Sequence, residues 1–114
     1  MQDKELLLQG TPASQGQAKG VAKILFPRQD ISSFNEGDIL VTKMTDPSMV
    51  LVMSMAAAIV TDVGGVTAHA AILSRELGIP CVVATKVATA ILQDGDQILV
   101  DGTLGRVYKT SDHD

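Results

Sequence analysis

Gly64-Gly65-Val66-Thr67-Ala68-His69-Ala70-Ala71-Ile72-Leu73-Ser74-Arg75 is the stretch from which the fold is read. Just before it, Ala58-Ile59-Val60-Thr61 is a short apolar run, predicted as a buried strand. Asp62 and Val63 lead into the glycine pair, which turns the chain. Thr67 is the expected N-cap of a helix that runs to Leu77, with His69 as its second residue. Gly78 fits the left-handed position after the helix end, and Pro80 prevents continuation. On this helix Ala70, Leu73 and Leu77 share one face, with His69 at its edge. Cys81-Val82-Val83 is the next strand.

Working outward, Glu5 to Gln9 and Gly20 to Phe26 are predicted strands, the second closed by Pro27. Gly10 to Gly16 is rich in small and turn-forming residues and is expected to be a loop. Gln29 to Glu36 has no clear pattern. Ile39 to Lys43 is a further strand. Asp46-Pro47 suits a helix start, because aspartate caps and proline fits the first helical position. That helix should run to about Met55, with Met49 and Met53 on one side, packed onto a sheet. Turns at Asp94-Gly95-Asp96 and Asp101-Gly102 flank strands at Ile98 to Val100 and Gly105 to Lys109. The tail from Thr110 to Asp114 should be loose. The expected fold is α/β, a β/β/α layer arrangement with two or three helices in one domain, residues 1–114.

Composition narrows the function. The chain has 114 residues, and 46% of them are hydrophobic against 19% charged, which argues for a globular core rather than disorder. Aromatics are only 3%, so aliphatic residues and methionine must fill that core. The net charge of -4 comes with no basic run, which speaks against a nucleic-acid partner. The N-terminal residues are too polar for a signal peptide, and no apolar run approaches the roughly 20 residues of a membrane span. One cysteine, Cys81, excludes an internal disulfide and fits a reducing compartment. A cytoplasmic protein without membrane association is expected.

His69 carries the most specific chemistry. The chain has two histidines, and the other, His113, lies in the polar tail. A helix N-terminus has free N–H groups and partial positive charge, so it favours an anion. It also disfavours an imidazolium, which keeps a ring nitrogen nucleophilic. Such a ring can attack phosphorus, and the product would lie where its charge is stabilised. Gly64 and Gly65 let the turn tighten and a phosphate approach the backbone. Arg75, nearly two turns along, could add positive charge. Asp62 could orient His69 or bind a metal, although capping the turn is the simpler role. No second histidine or cysteine lies near, so no metal is expected in this domain. Neither a GxGxxG fingerprint, a Walker loop nor a GxSxG elbow is present. Cys81 could be a nucleophile, but a buried strand cysteine is the plainer reading. By spacing alone, a lone histidine near a helix start is usually just a partly buried, hydrogen-bonded side chain.

The stretch from Gly64 to Arg75 resembles the phosphohistidine signature of the phosphoenolpyruvate-utilising enzymes. The likeness extends to Ala57 through Asp62, to Glu76 through Val83, to Gly10 through Gly20 and to Asp94 through Tyr108, and is greatest to the synthase and dikinase branch. The family often has glycine where this chain has Ala84, and proline where it has Leu51. The resemblance implies a swivelling, mobile β/β/α domain that carries a phosphoryl group on His69, with Gly64, Gly65, Thr67 and Arg75 in support. It implies a regulatory phosphorylation site at Thr67. It also implies nucleotide-binding and phosphoenolpyruvate- or pyruvate-binding partner domains, in cis or trans, that hold Mg²⁺ and ATP or phosphoenolpyruvate. This domain would bind no cofactor itself and would be inactive alone. Two other readings share the fold: a regulatory or scaffolding module, and the carrier domain of a drug or glucan phosphotransferase.

Overall fold

The computed structural model describes residues 4–110. The expected tail, including His113, lies outside the described residues apart from Thr110.

Eight strands form one sheet: β1 Lys4–Gln9, β2 Thr11–Ser14, β3 Gln17–Ile24, β4 Ile39–Thr42, β5 Ala58–Thr61, β6 Cys81–Val83, β7 Gln97–Asp101 and β8 Arg106–Thr110. Three helices accompany them: α1 Val50–Met55, preceded by a 3₁₀ turn at Pro47–Met49, α2 His69–Leu77 and α3 Ala88–Ile91. The strand order is β1-β8-β7-β3-β4-β5-β6-β2. The central four, β3 to β6, run parallel, with Leu40 opposite Ile59 and Val60 opposite Val82. The flanking strands pair antiparallel.

This order forces curvature. β1 and β2 sit at opposite edges of the sheet, yet only Gly10 separates them in sequence. A flat sheet of this width would hold them roughly 30 Å apart. The sheet therefore curls until its edges nearly meet at Gly10, whose N–H extends the β1–β8 ladder by bonding Gly105 C=O at 2.8 Å. Gly10 has no room for a side chain: a Cβ there would collide with the Val83 carbonyl.

Strand alternation then builds two cores, because successive residues face opposite sides. Leu40, Ile59, Cys81 and Val83 face the helices and pack with Val52, Met53, Ala70 and Ala71. Ile39, Val41, Val60 and Val82 face the other way, against Ile98, Val100 and Val107 of the antiparallel strands. The result is the expected β/β/α layering.

Several boundaries differ from expectation. Thr11–Ser14, expected as loop, is the edge strand β2 on β6; proline is tolerated there because an edge strand needs no N–H on its outer side. β3 starts earlier than expected, at Gln17, because it pairs with β7 from there. The single-turn helix α3 was not expected and is capped from outside its own sequence, by Asp62. Asp46 caps as predicted, its carboxylate accepting from Ser48 N–H at 2.8 Å. Gly78 ends α2 in the left-handed conformation, φ 75°. The buried face of α2 is Ala70, Ala71 and Ser74, with Leu73 partly covered, whereas Leu77 in the last turn is exposed. Helical angle places a residue on a face, but only neighbouring structure covers it.

Candidate active site

The reactive end of the molecule is built from loops that leave the carboxyl ends of the parallel strands, the usual place for a site in such a sheet. β4 leads to Thr45, β5 to the glycine pair and His69, and β6 to Ala84 through Val87.

His69 is the first residue of α2 rather than the second, because the helix starts one residue later than expected. Ala68 is the N-cap, and no side chain caps the helix. Thr67 is therefore not the cap. It is an exposed turn residue two positions before His69. The chain tightens one residue later than the capping pattern implies, because Ala68 N–H bonds Gly65 C=O at 3.0 Å. The N–H groups of the first helical turn are thus left without a side-chain partner, which suits an incoming anion.

The half-buried ring of His69 has one firm partner. Its Nδ1 lies 2.8 Å from the Oγ1 of Thr45, which is itself buried. A threonine hydroxyl can accept from Nδ1–H, and in that tautomer Nε2 keeps its lone pair. Thr45 was missed in the sequence. It stands just before a recognisable helix start, but its relation to His69 arises only because β4 and β5 are neighbours.

The two glycines do different things. Gly64 takes φ 126°, and a Cβ there would press on Ala68 at 3.3 Å. It makes the turn. Gly65 lies outside the left-handed region, and a Cβ there would meet nothing within 4 Å, so its backbone faces open space. It is the glycine that leaves room for a ligand.

Arg75 and Asp62 do not reach the ring. Arg75 donates to Val66 C=O and to Ala13 C=O, each at 2.7 Å, and so braces the loop before His69 against β2. Asp62 is buried, and its two carboxylate oxygens accept from Thr89 N–H at 2.9 Å and Thr89 Oγ1 at 2.6 Å. It acts as a cap, the simpler of the expected roles, but the element it caps is α3 across the loop rather than its own turn. Among the described residues, no three His, Cys, Asp or Glu side chains are grouped as metal ligands. Burial pushes the Cys81 thiol up to about 11, which makes it a structural strand residue rather than a nucleophile. An open depression of about 930 Å³ lies beside Arg75, between Pro12 and Thr103, and His69 does not line it. No helix among the described residues is long and apolar enough to cross a membrane.

A half-buried histidine at a helix start, beside the carboxyl ends of the parallel strands of a curled mixed sheet, is the site this fold builds. Residues 34–105 match the family model of the PEP-utilising enzyme mobile domain, and the chain belongs to that family. It is 58% identical over 105 residues to a probable phosphoenolpyruvate synthase of Archaeoglobus fulgidus, covering 92% of this chain and 14% of that protein. It is 55% identical over 109 residues to the phosphoenolpyruvate synthase of Pyrococcus furiosus, covering 96% of this chain and 13% of that one. The chain thus spans only about a seventh of the length of these relatives. Among solved structures, an Enzyme I solution structure superposes with TM-score 0.63 at 33% identity, over 75% of this chain and 35% of that one. An aconitase X crystal structure from Thermococcus kodakaraensis superposes with TM-score 0.67 at 20% identity, over 96% of this chain and 99% of that one, a likeness of fold alone.

Proposed function

We propose that this chain is a phosphohistidine carrier domain that accepts a phosphoryl group on Nε2 of His69 and passes it to pyruvate, or runs the transfer in reverse. The observation that carries the reading is the 2.8 Å contact between Thr45 Oγ1 and His69 Nδ1. It engages one ring nitrogen and leaves the other as the nucleophile. In the transfer, the Nε2 lone pair forms the N–P bond while the bond from phosphorus to the donor oxygen breaks, and that oxygen leaves with the electron pair. The proton on Nδ1 stays on the Thr45 hydroxyl contact. Delivery reverses the geometry: an acceptor oxygen attacks phosphorus and the ring leaves.

The donor and acceptor belong to partner domains. His69 is half-buried, and exposed Met44, Val63 and Val66 lie on the loops around it. Phosphoryl transfer needs positioning and exclusion of water, which a partner face would complete. Mg²⁺ with ATP, or phosphoenolpyruvate, is assigned to those partners, where the metal would neutralise phosphate charge. The names of the synthase relatives favour pyruvate as the acceptor.

Thr67 is assigned as a regulatory phosphorylation site. Its exposed hydroxyl is two residues from His69, and a phosphate there would repel a second one.

The test is phosphorylation of the chain by a family nucleotide-binding domain, with His69→Ala beside the wild type. Acid-labile, alkali-stable phosphate on the wild type alone supports the reading. The same phosphate on the variant ends it.

A further inference from the structure

We infer that Lys43 and Lys86 form a two-sided cationic clamp that draws a phosphoryl donor to His69 and holds the group once transferred. The inference rests on the carrier reading above and names the charges this domain itself contributes to that transfer.

Both lysines are fixed to the loop that carries the histidine, one from each side. Lys43 follows β4, and its C=O accepts from Val63 N–H at 3.1 Å. Lys86 follows β6, and its N–H donates to Asp62 C=O at 2.8 Å. Asp62 and Val63 are the two residues immediately before Gly64 and Gly65. Neighbouring parallel strands thus place one lysine on each flank of the glycine turn. Both side chains are exposed. Their four-carbon stems are long enough to move with a ligand, as a point charge for phosphate requires. Lys86 is held at φ 76°, a conformation that non-glycine residues seldom adopt.

The whole chain carries -4, and two carboxylates at this end are fixed in place by hydrogen bonds. Asp62 is buried on Thr89. Asp46 is within Coulombic reach of His69, but it is engaged with Ser48 and offset by Arg28. Lys43 and Lys86 are the exposed cations on the two strand ends that flank the histidine loop, and each adds positive potential where a phosphate approaches.

The test uses potassium phosphoramidate, which needs no partner domain. The Nε2–P bond forms as the P–N bond breaks, and ammonia leaves with its three hydrogens and the bonding pair. Formation of acid-labile phosphate is followed for wild type, Lys43→Gln, Lys86→Gln, the double variant and Lys19→Gln. Lys19 is exposed near the start of β3, at the opposite end of the parallel strands, and controls for net charge. At low ionic strength the double variant should react about three- to tenfold more slowly than wild type or Lys19→Gln, and the gap should close in roughly 1 M salt. Lysine-to-arginine variants should keep most of the rate. Equal low-salt rates for the double variant, Lys19→Gln and wild type would overturn the clamp and leave the carrier reading standing. Absence of acid-labile phosphate on wild type, or its persistence in His69→Ala, removes the carrier reading and the clamp together. If Lys86→Gln melts well below wild type, Lys86→Gly, which suits the left-handed backbone, takes its place.

Discussion

His69 is governed by a single hydroxyl. Thr45→Val keeps the shape of the side chain but removes the partner of Nδ1, so the ring loses the bond that holds it in place. A neutral hydrogen bond is worth about 0.5–1.5 kcal/mol, which corresponds to a roughly two- to thirteenfold slower phosphorylation of His69. Thermal melting alongside separates this from misfolding, and an unchanged rate would show that Thr45 does not hold the ring for attack. Thr67 gives the opposite expectation for stability. As an exposed turn residue rather than the N-cap, it should tolerate Thr67→Ala within about 0.5 kcal/mol in urea unfolding, where loss of a true cap costs about 1. Thr67→Glu should fold equally well yet accept much less phosphate on His69, because its charge stands beside the incoming anion. A stability loss near 1 kcal/mol in the alanine variant would restore the capping role. These two threonines also mark the limit of local reading. Both have the same chemistry, but Thr67 looked like a cap and is not, while Thr45 looked ordinary and holds the ring. A hydroxyl's role depends on what lies opposite it, and for Thr45 that residue is 24 positions away.

At the scale of elements, the loop from β6 to α3 stores local strain. Ala84 has φ 59° and Lys86 φ 76°, two left-handed non-glycine residues within three positions. The loop survives because it is zipped to the end of β5: Thr85 N–H bonds Thr61 C=O at 3.1 Å, and Lys86 N–H bonds Asp62 C=O at 2.8 Å. Glycine adopts such a left-handed conformation without steric cost. Ala84→Gly should relieve the backbone and stabilise the fold by about 0.5–1 kcal/mol, after the extra entropy of glycine is subtracted. Urea unfolding checks this, and a lower midpoint would mean that the Ala84 methyl matters more to the helix-side core than its backbone costs. The same loop shows why α3 was not legible. Its cap is Asp62, whose carboxylate arrives from the end of another strand. By contrast α2 announced itself, because its stop signals, Gly78 and Pro80, are local.

For the whole molecule, closure of the sheet depends on how its strand ends are tied together. Asp101 lies at the end of β7, where the turn to β8 begins. Burial alone would raise its carboxyl, but hydrogen bonds from Leu104 N–H, the Gln17 amide and Thr103 N–H outweigh that and hold it below the usual aspartate value. A depressed value in the folded state means that the carboxylate's contribution is complete above the unfolded aspartate value. It is lost as pH falls through the folded one. Asp101→Asn should therefore cost about 1–3 kcal/mol at neutral pH, and the gap from wild type should narrow below about pH 4. Unfolding free energies measured from pH 7 down to 3 test this. A gap that stays constant across the range would mean that the ionised carboxylate is not what ties the β7–β8 turn to β3.

The sequence by itself determined the strands β4, β5 and β6, the helix α2 with its end, and the histidine that the site is built around. Those signals are periodic or local, so neighbours within a few residues suffice to set them. Only the tertiary structure decided that Thr11–Ser14 is a strand, that Thr45 meets His69, that Arg75 braces a loop and that Asp62 caps α3. Each of these joins residues far apart in the chain, and such pairings exist only after the sheet has closed on itself and brought the strand ends side by side.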